Sequence, residues 1–150
     1  MTVDKVVDGD IICTVNNPGK VSNRKSINIP GVDVDQVYIS ETDRADILFG
    51  IEMDIDFIAA SFVRTAEDAK RLKKLLFANG GDKIKIIAKI ENRSGVDNID
   101  EILKYVDGIM VARGDMGVEI PFEELPAIQK SSVFHSVSSF GKIISAYAVP

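Results

Sequence analysis

Lys83-Ile-Lys-Ile-Ile-Ala-Lys-Ile-Glu91 and Gly108-Ile-Met-Val-Ala-Arg-Gly-Asp115 decide the fold, together with Asp56-Phe-Ile-Ala-Ala-Ser-Phe62 upstream. Each run is too short and too β-branched, or too closely flanked by turn residues, for a free-standing helix, and reads as a short buried strand. Helical text separates them. Ser40 has Asp43 three residues on, Thr65 has Asp68 at the same spacing, and Ser94 precedes an amphipathic set of Val96, Ile99, Ile102, Leu103 and Val106; these are helix starts. Gly80-Gly81 stops the middle helix. Strand and helix alternating with this period are the mark of parallel β/α units.

Downstream, Pro121 to Glu124 opens a further helix, with Phe122, Leu125 and Ile128 as its apolar members. The serine-rich, charge-poor residues 131–140 make only a weak continuation of it. A last apolar run at 142–149 is a candidate fourth strand. Upstream, the text differs: Val6-Val7, residues 11–15 and residues 26–29 are short β runs parted by turn signals at Asp8-Gly9 and Asn17-Pro-Gly19. The expected division is therefore a small all-β piece at 1–29 and a β/α segment at 30–150, with the boundary at Pro30-Gly31.

The chain has 150 residues, 45% of them hydrophobic and 27% charged. A closed eight-unit β/α barrel takes about 250 residues, so the expected fold class is α/β, an incomplete TIM-type (β/α)8 barrel segment preceded by a short all-β piece. A net charge of -5 argues against nucleic acid or an anionic membrane as the main partner. The single Cys13 and single His135 allow neither an internal disulfide nor a zinc cluster. No run approaches the roughly 20 apolar residues of a membrane span, and residues 1–10 alternate charge where a signal peptide would be apolar. A cytoplasmic location is expected.

Chemistry is expected at the strand ends, because parallel β/α architecture delivers strand C-termini to one face. Ser61, Lys89, Glu91 and Asp115 should converge there. Strand alternation puts Lys89 and Glu91 on one face, and Arg113 and Asp115 likewise. Two facing carboxylates repel unless a cation lies between them, and magnesium favours one or two carboxylates with substrate oxygens. Lys89 beside such an ion would stabilise negative charge on an oxyanion or a transferring phosphoryl group, and Gly114 would let backbone amides approach an anion. Taken singly, Lys-x-Glu on a strand is more often a solvated pair, and Ser61 a satisfied strand-end hydroxyl. Arg113-Gly-Asp115 is read as a strand-to-helix turn rather than an adhesion tripeptide. No Walker or dinucleotide glycine fingerprint is present.

Four strings read together narrow this further: Asn23-Arg-Lys-Ser-Ile-Asn-Ile-Pro-Gly31, Ala60-Ser-Phe-Val-Arg64, Lys85-Ile-Ile-Ala-Lys-Ile-Glu-Asn92 and Met110-Val-Ala-Arg-Gly-Asp-Met-Gly-Val-Glu-Ile-Pro121. In order and spacing they resemble the pyruvate kinase family over residues 3–130. The resemblance implies phosphoryl transfer from phosphoenolpyruvate to ADP, giving pyruvate and ATP in glycolysis, with magnesium and usually potassium. It implies Lys89 as the transition-state lysine and Glu91 and Asp115 as magnesium ligands. The backbone amides of Gly114 and Asp115 would meet the substrate carboxylate, Ser61 and Phe62 would line the site, and Lys25 would approach the nucleotide phosphates.

The resemblance covers the end of that family's β lid domain, corresponding to residues 1–29, and the middle of its barrel. The family's phosphate-binding arginine, potassium ligands and C-terminal effector domain have no counterpart, and Tyr147 falls where the family has a substrate-binding threonine. The family's homotetramer and full activity are therefore expected to be impaired or lost in a chain of this extent. Two alternatives stand beside this reading. One is a magnesium-dependent lyase acting on a pyruvate enolate, against which the stretch from Asn23 to Gly31 argues. The other is a non-catalytic remnant that associates with intact subunits through residues 30–49.

Overall fold

A computed structural model describes residues 1–23, 25, 27, 29, 37–140 and 143–147, the last five and residues 139–140 by backbone alone. Strands β1 (Thr2–Val7) and β2 (Asp10–Thr14) pair antiparallel. Asp8 and Gly9 close this hairpin, both at positive φ (50° and 87°), as a two-residue Asp-Gly turn requires. The expected β run at 26–29 lies partly outside the described residues, and Ile27 and Ile29 form no strand. The expected boundary at Pro30-Gly31 lies outside them.

Helix α1 (Glu41–Glu52) begins where the text placed it: Ser40 Oγ accepts from the Asp43 amide at 3.1 Å, and Asp43 Oδ2 accepts from the Ser40 amide at 2.9 Å. Helix α2 (Ala66–Ala78) repeats the device with Thr65 and Asp68. It ends at Gly80, whose φ of +81° lets the Gly81 amide return to Leu76 O at 2.8 Å. Ala69, Leu72 and Leu76 face the core, while Lys73 and Lys74 are exposed.

Strands β3 (Phe57–Ala60), β4 (Lys85–Ile90), β5 (Gly108–Ala112) and β6 (Ile143–Tyr147) form one parallel sheet whose spatial order is the chain order. A singly wound order of this kind belongs to a barrel wall, whereas a doubly wound sheet reverses direction at a switch point. The four strands do not close among the described residues, so the architecture is a partial barrel. Ile86, Ala88 and Ile90 on one face of β4 join Ile109 and Val111 of β5 in the core with Leu72 and Leu76. The other face carries Lys85, Ile87 and Lys89, none of them fully buried. Phe57, on the edge strand β3, is 59% exposed.

Three local expectations need correction. The single helix after Ser94 is two short ones, α3 (Arg93–Asp97) and α4 (Ile99–Leu103). Asn92, not Ser94, caps the first, accepting from the Gly95 amide at 2.8 Å. The helices part at Asn98, whose side-chain amide donates to Ser94 O and to Arg64 O, each at 3.0 Å, an alternative to continued helix that Asn readily supplies. The third strand stops at Ala112, and residues 113–116 form the short helix α5 (Arg113–Met116), closed by the Gly117 amide on Arg113 O at 2.9 Å. Arg113 and Asp115 therefore do not share a strand face.

Beyond a 3-10 turn (Phe122–Glu124), α6 (Leu125–Phe140) is a single helix through the serine-rich stretch. Leu125 and Ile128 are buried as expected, but Phe122 is 81% exposed because it lies in the turn ahead of the helix. No described helix is long and apolar enough to cross a membrane.

Candidate active site

Register places the key side chains at one level. Ala60 pairs with Ala88, so Ser61 and Lys89, one residue further along each strand, emerge side by side. Lys89 Nζ donates to Ser61 Oγ at 3.1 Å and stands 2.7 Å from Glu91 Oε1. Glu91 itself is 2% exposed. Its second oxygen, Oε2, accepts from the backbone amide of Phe62 at 2.5 Å. A buried carboxylate carries a desolvation cost that an ammonium and an aligned amide together offset.

Phe62 supplies that amide through an uncommon backbone, with φ at +52°. A non-glycine residue there costs of order 1 kcal/mol or more and persists where its surroundings hold it. The resemblance implied only that Phe62 lines the site; its side chain is half exposed. The structural contribution visible here comes from its main chain.

Ser61, Phe62, Glu91 and Asp115 line one cavity of about 1280 Å³. Asp115 reaches it from the first turn of α5, not from a strand. Lys25 also lines the cavity. Lys89 meets it through Ser61 and Glu91, and Gly114 sits in the α5 turn without lining it. Of the four residues expected to converge, Ser61, Glu91 and Asp115 share the cavity, and Lys89 is bonded to the first two.

The cavity also has walls that the sequence did not flag. Tyr38 lines it and donates its hydroxyl to Ser61 O at 3.1 Å. Burial, followed by the nearby charges of Asp68, Glu91 and Asp43, pushes the Tyr38 phenol well above its ordinary range, so it remains a donor. Glu119 lines the cavity too and accepts from the Arg93 amide at 2.9 Å, while Arg93 Nη2 pairs with Glu124 at 2.7 Å. No spacing pointed to Tyr38. Glu119 lies in the turn that follows α5, and no spacing pointed to it either.

The fit to magnesium rests on Glu91. Its Oε1 is buried and has the Lys89 charge near it, but no hydrogen bond of proper geometry among the described residues. A lone pair on a buried carboxylate beside a cavity shared with a second carboxylate suits a hard cation. No group of three or more Asp, Glu, His or Cys side chains that could hold a metal occurs among the described residues. Two carboxylates, with the remaining positions left to water and substrate oxygens, match the habit of magnesium rather than of zinc or calcium.

Fold and site together define a β/α-barrel segment with a lysine–carboxylate pair at the end of β4 and a second carboxylate in the α5 turn. The family model described as "Pyruvate kinase, barrel domain" matches residues 1–148. The chain belongs to the pyruvate kinase family. It is 49% identical over 142 residues to a pyruvate kinase of Clostridium perfringens, covering 95% of this chain and 30% of that protein. With a pyruvate kinase of Geobacillus stearothermophilus it shares 60% identity over 128 residues, 85% of this chain and 22% of the relative. A pyruvate kinase of Schizosaccharomyces pombe is 47% identical over 131 residues, 87% of this chain and 26% of the relative. The chain thus spans less than a third of the length of these curated relatives.

Proposed function

We propose that this chain carries the phosphoryl-transfer centre of a pyruvate kinase, acting between phosphoenolpyruvate with ADP and pyruvate with ATP. The observation that carries this reading is the buried Glu91 carboxylate, held by the Phe62 amide and the Lys89 ammonium on a cavity that Asp115 shares. In this reading Glu91 and Asp115 hold magnesium, which when bound supplies positive charge beside the substrate's oxygens. Lys89 stabilises negative charge as it develops on the transferring group or the enolate oxygen. Ser61 keeps the ammonium aimed by accepting a hydrogen bond from it. The α5 turn presents the amides of Gly114 and Asp115 to the substrate carboxylate, and Lys25, on the same cavity, meets nucleotide phosphates.

Potassium dependence, a homotetramer, a cytoplasmic location, a role in glycolysis and a lid origin for residues 1–29 belong to the same proposal through family membership. The first test is urea unfolding of the 150-residue chain with and without magnesium plus oxalate, a mimic of the pyruvate enolate. A ligand at about 100 times its Kd stabilises the native state by about 2.7 kcal/mol, and the midpoint should rise accordingly. An unmoved midpoint would remove the proposed site from this chain. Where it moves, pyruvate formation from phosphoenolpyruvate and ADP is the second measurement.

A further inference from the structure

The strand exit at Ser61 and Phe62 is gripped from two sides through a single peptide group. The carbonyl of Ser61 and the amide of Phe62 belong to the same planar unit and point in opposite directions. Tyr38 donates its hydroxyl to that carbonyl at 3.1 Å, and the amide on the other side donates to Glu91 Oε2 at 2.5 Å. The side chain of Ser61 meanwhile accepts from Lys89. One residue pair therefore sets the direction of both charged groups of the proposed centre, and Tyr38 is the group that holds the pair from behind.

We propose that Tyr38 is a positioning residue of this site, fixing the Ser61–Phe62 peptide plane so that the Phe62 amide points at Glu91. The proposal rests on the functional reading above for its consequence, but its geometry stands on its own. Rotating the peptide would relieve the positive φ of Phe62, and that rotation is what the Tyr38 hydroxyl opposes. A hydrogen bond to the carbonyl also polarises the peptide, which strengthens its amide as a donor in the same chain of bonds. Tyr38 is half-buried and uncharged, so it can do this on the cavity wall without adding to the charge there.

The test is Tyr38→Phe in the 150-residue chain, which keeps the ring and removes the hydroxyl. Native-state hydrogen exchange should show the Phe62 amide opening at least tenfold faster, with the amides of Ile109 and Val111 in β5 unchanged. In magnesium titrations at fixed oxalate, the concentration giving half the stabilisation should rise several-fold. An unaltered Phe62 amide overturns the proposal, and so does a faster one with an unaltered magnesium requirement. If the unmodified chain shows no response to magnesium and oxalate while the Phe62 effect is present, the functional reading falls and the hold of Tyr38 on the peptide stands.

Should Tyr38→Phe fail to fold, the unmodified chain decides. Deuteration of the Tyr38 hydroxyl should then add a shift to the carbonyl carbon resonance of Ser61 beyond the one that deuteration of the Phe62 amide causes, and absence of that added shift overturns the proposal.

Discussion

Lys89 and Glu91, two residues apart at the end of β4, bring Nζ and Oε1 within 2.7 Å, with the lysine side chain 24% exposed and the carboxylate side chain 1%. Glu91 lines the cavity, and Lys89 meets it through Glu91 and Ser61. Such a pair stabilises the fold less than its short distance suggests, because both charges lost water to form it. Removing one partner is another matter, since the other is left buried alone.

Lys89→Met should therefore lower unfolding free energy at pH 7 by about 3 kcal/mol, whereas Lys89→Met combined with Glu91→Gln should recover a large part of that loss. Denaturant unfolding of the single and double variants checks it. A double variant as unstable as the sum of the two single ones would show that the charges do not interact. Phosphoryl transfer, where the unmodified chain supports it, should disappear in Lys89→Met.

The cap of α1 gives a pH-dependent outcome. Hydrogen bonds from the Ser40 hydroxyl and amide hold the Asp43 carboxyl below its ordinary value. A group with a lowered folded-state pKa adds stability that is present above its unfolded pKa and is lost as pH falls through the folded one. At pH 7, Asp43→Asn should cost about 0.5–1 kcal/mol, the usual scale of a helix cap. The difference from the unmodified chain should shrink as pH falls below the normal carboxylate range, and a gap that stays constant to low pH would assign the effect to something other than the ionised cap.

Much of this arrangement was legible before the structure. Capping boxes are local, so Ser40 with Asp43 and Thr65 with Asp68 announced α1 and α2 directly, and the strand periods brought Ser61, Lys89 and Glu91 to one level. What escaped the text depended on distant contacts. Asn98 breaks a helix because its side chain finds Arg64 O, a partner 34 residues away. Tyr38 acquires its role only from meeting Ser61 O. Residues 113–116 turn helical at a strand's end, where Gly114 weakens extended structure but short apolar runs do not reveal their last residue.

Helix α6 illustrates the same limit in its packing. Residues 131–140 looked like poor helix because they are rich in serine and poor in charge, yet Ser132 (3% exposed) and Ser136 (fully buried) continue the inward stripe begun by Leu125 and Ile128. Small side chains on that stripe let the helix approach α4 and β5 closely. Placing a large apolar side chain there with Ser136→Leu should destabilise the chain by about 1–3 kcal/mol, the cost of overpacking. Thermal or urea unfolding tests this, and a stabilised variant would mean that the stripe has room to spare.

Gly95 joins this packing to the site. It lies in the first turn of α3, where an added Cβ would stand 2.7 Å from Val63 O, a backbone atom with little freedom to retreat, and 3.3 Å from the Asn92 side chain that caps the helix. Gly95→Ala must move α3 away from residues 61–64, the stretch that carries the Phe62 amide to Glu91. A loss of about 1–3 kcal/mol is expected, although alanine is intrinsically the better helix former. The magnesium and oxalate response should weaken in the same variant, because the carboxylate loses its aligned donor. Gly19→Ala, where a Cβ would meet nothing within 4 Å, serves as the control and should stay within about 0.5 kcal/mol of the unmodified chain. If Gly95→Ala matched that control, the close approach of α3 to Val63 would not be what holds the strand exit in place.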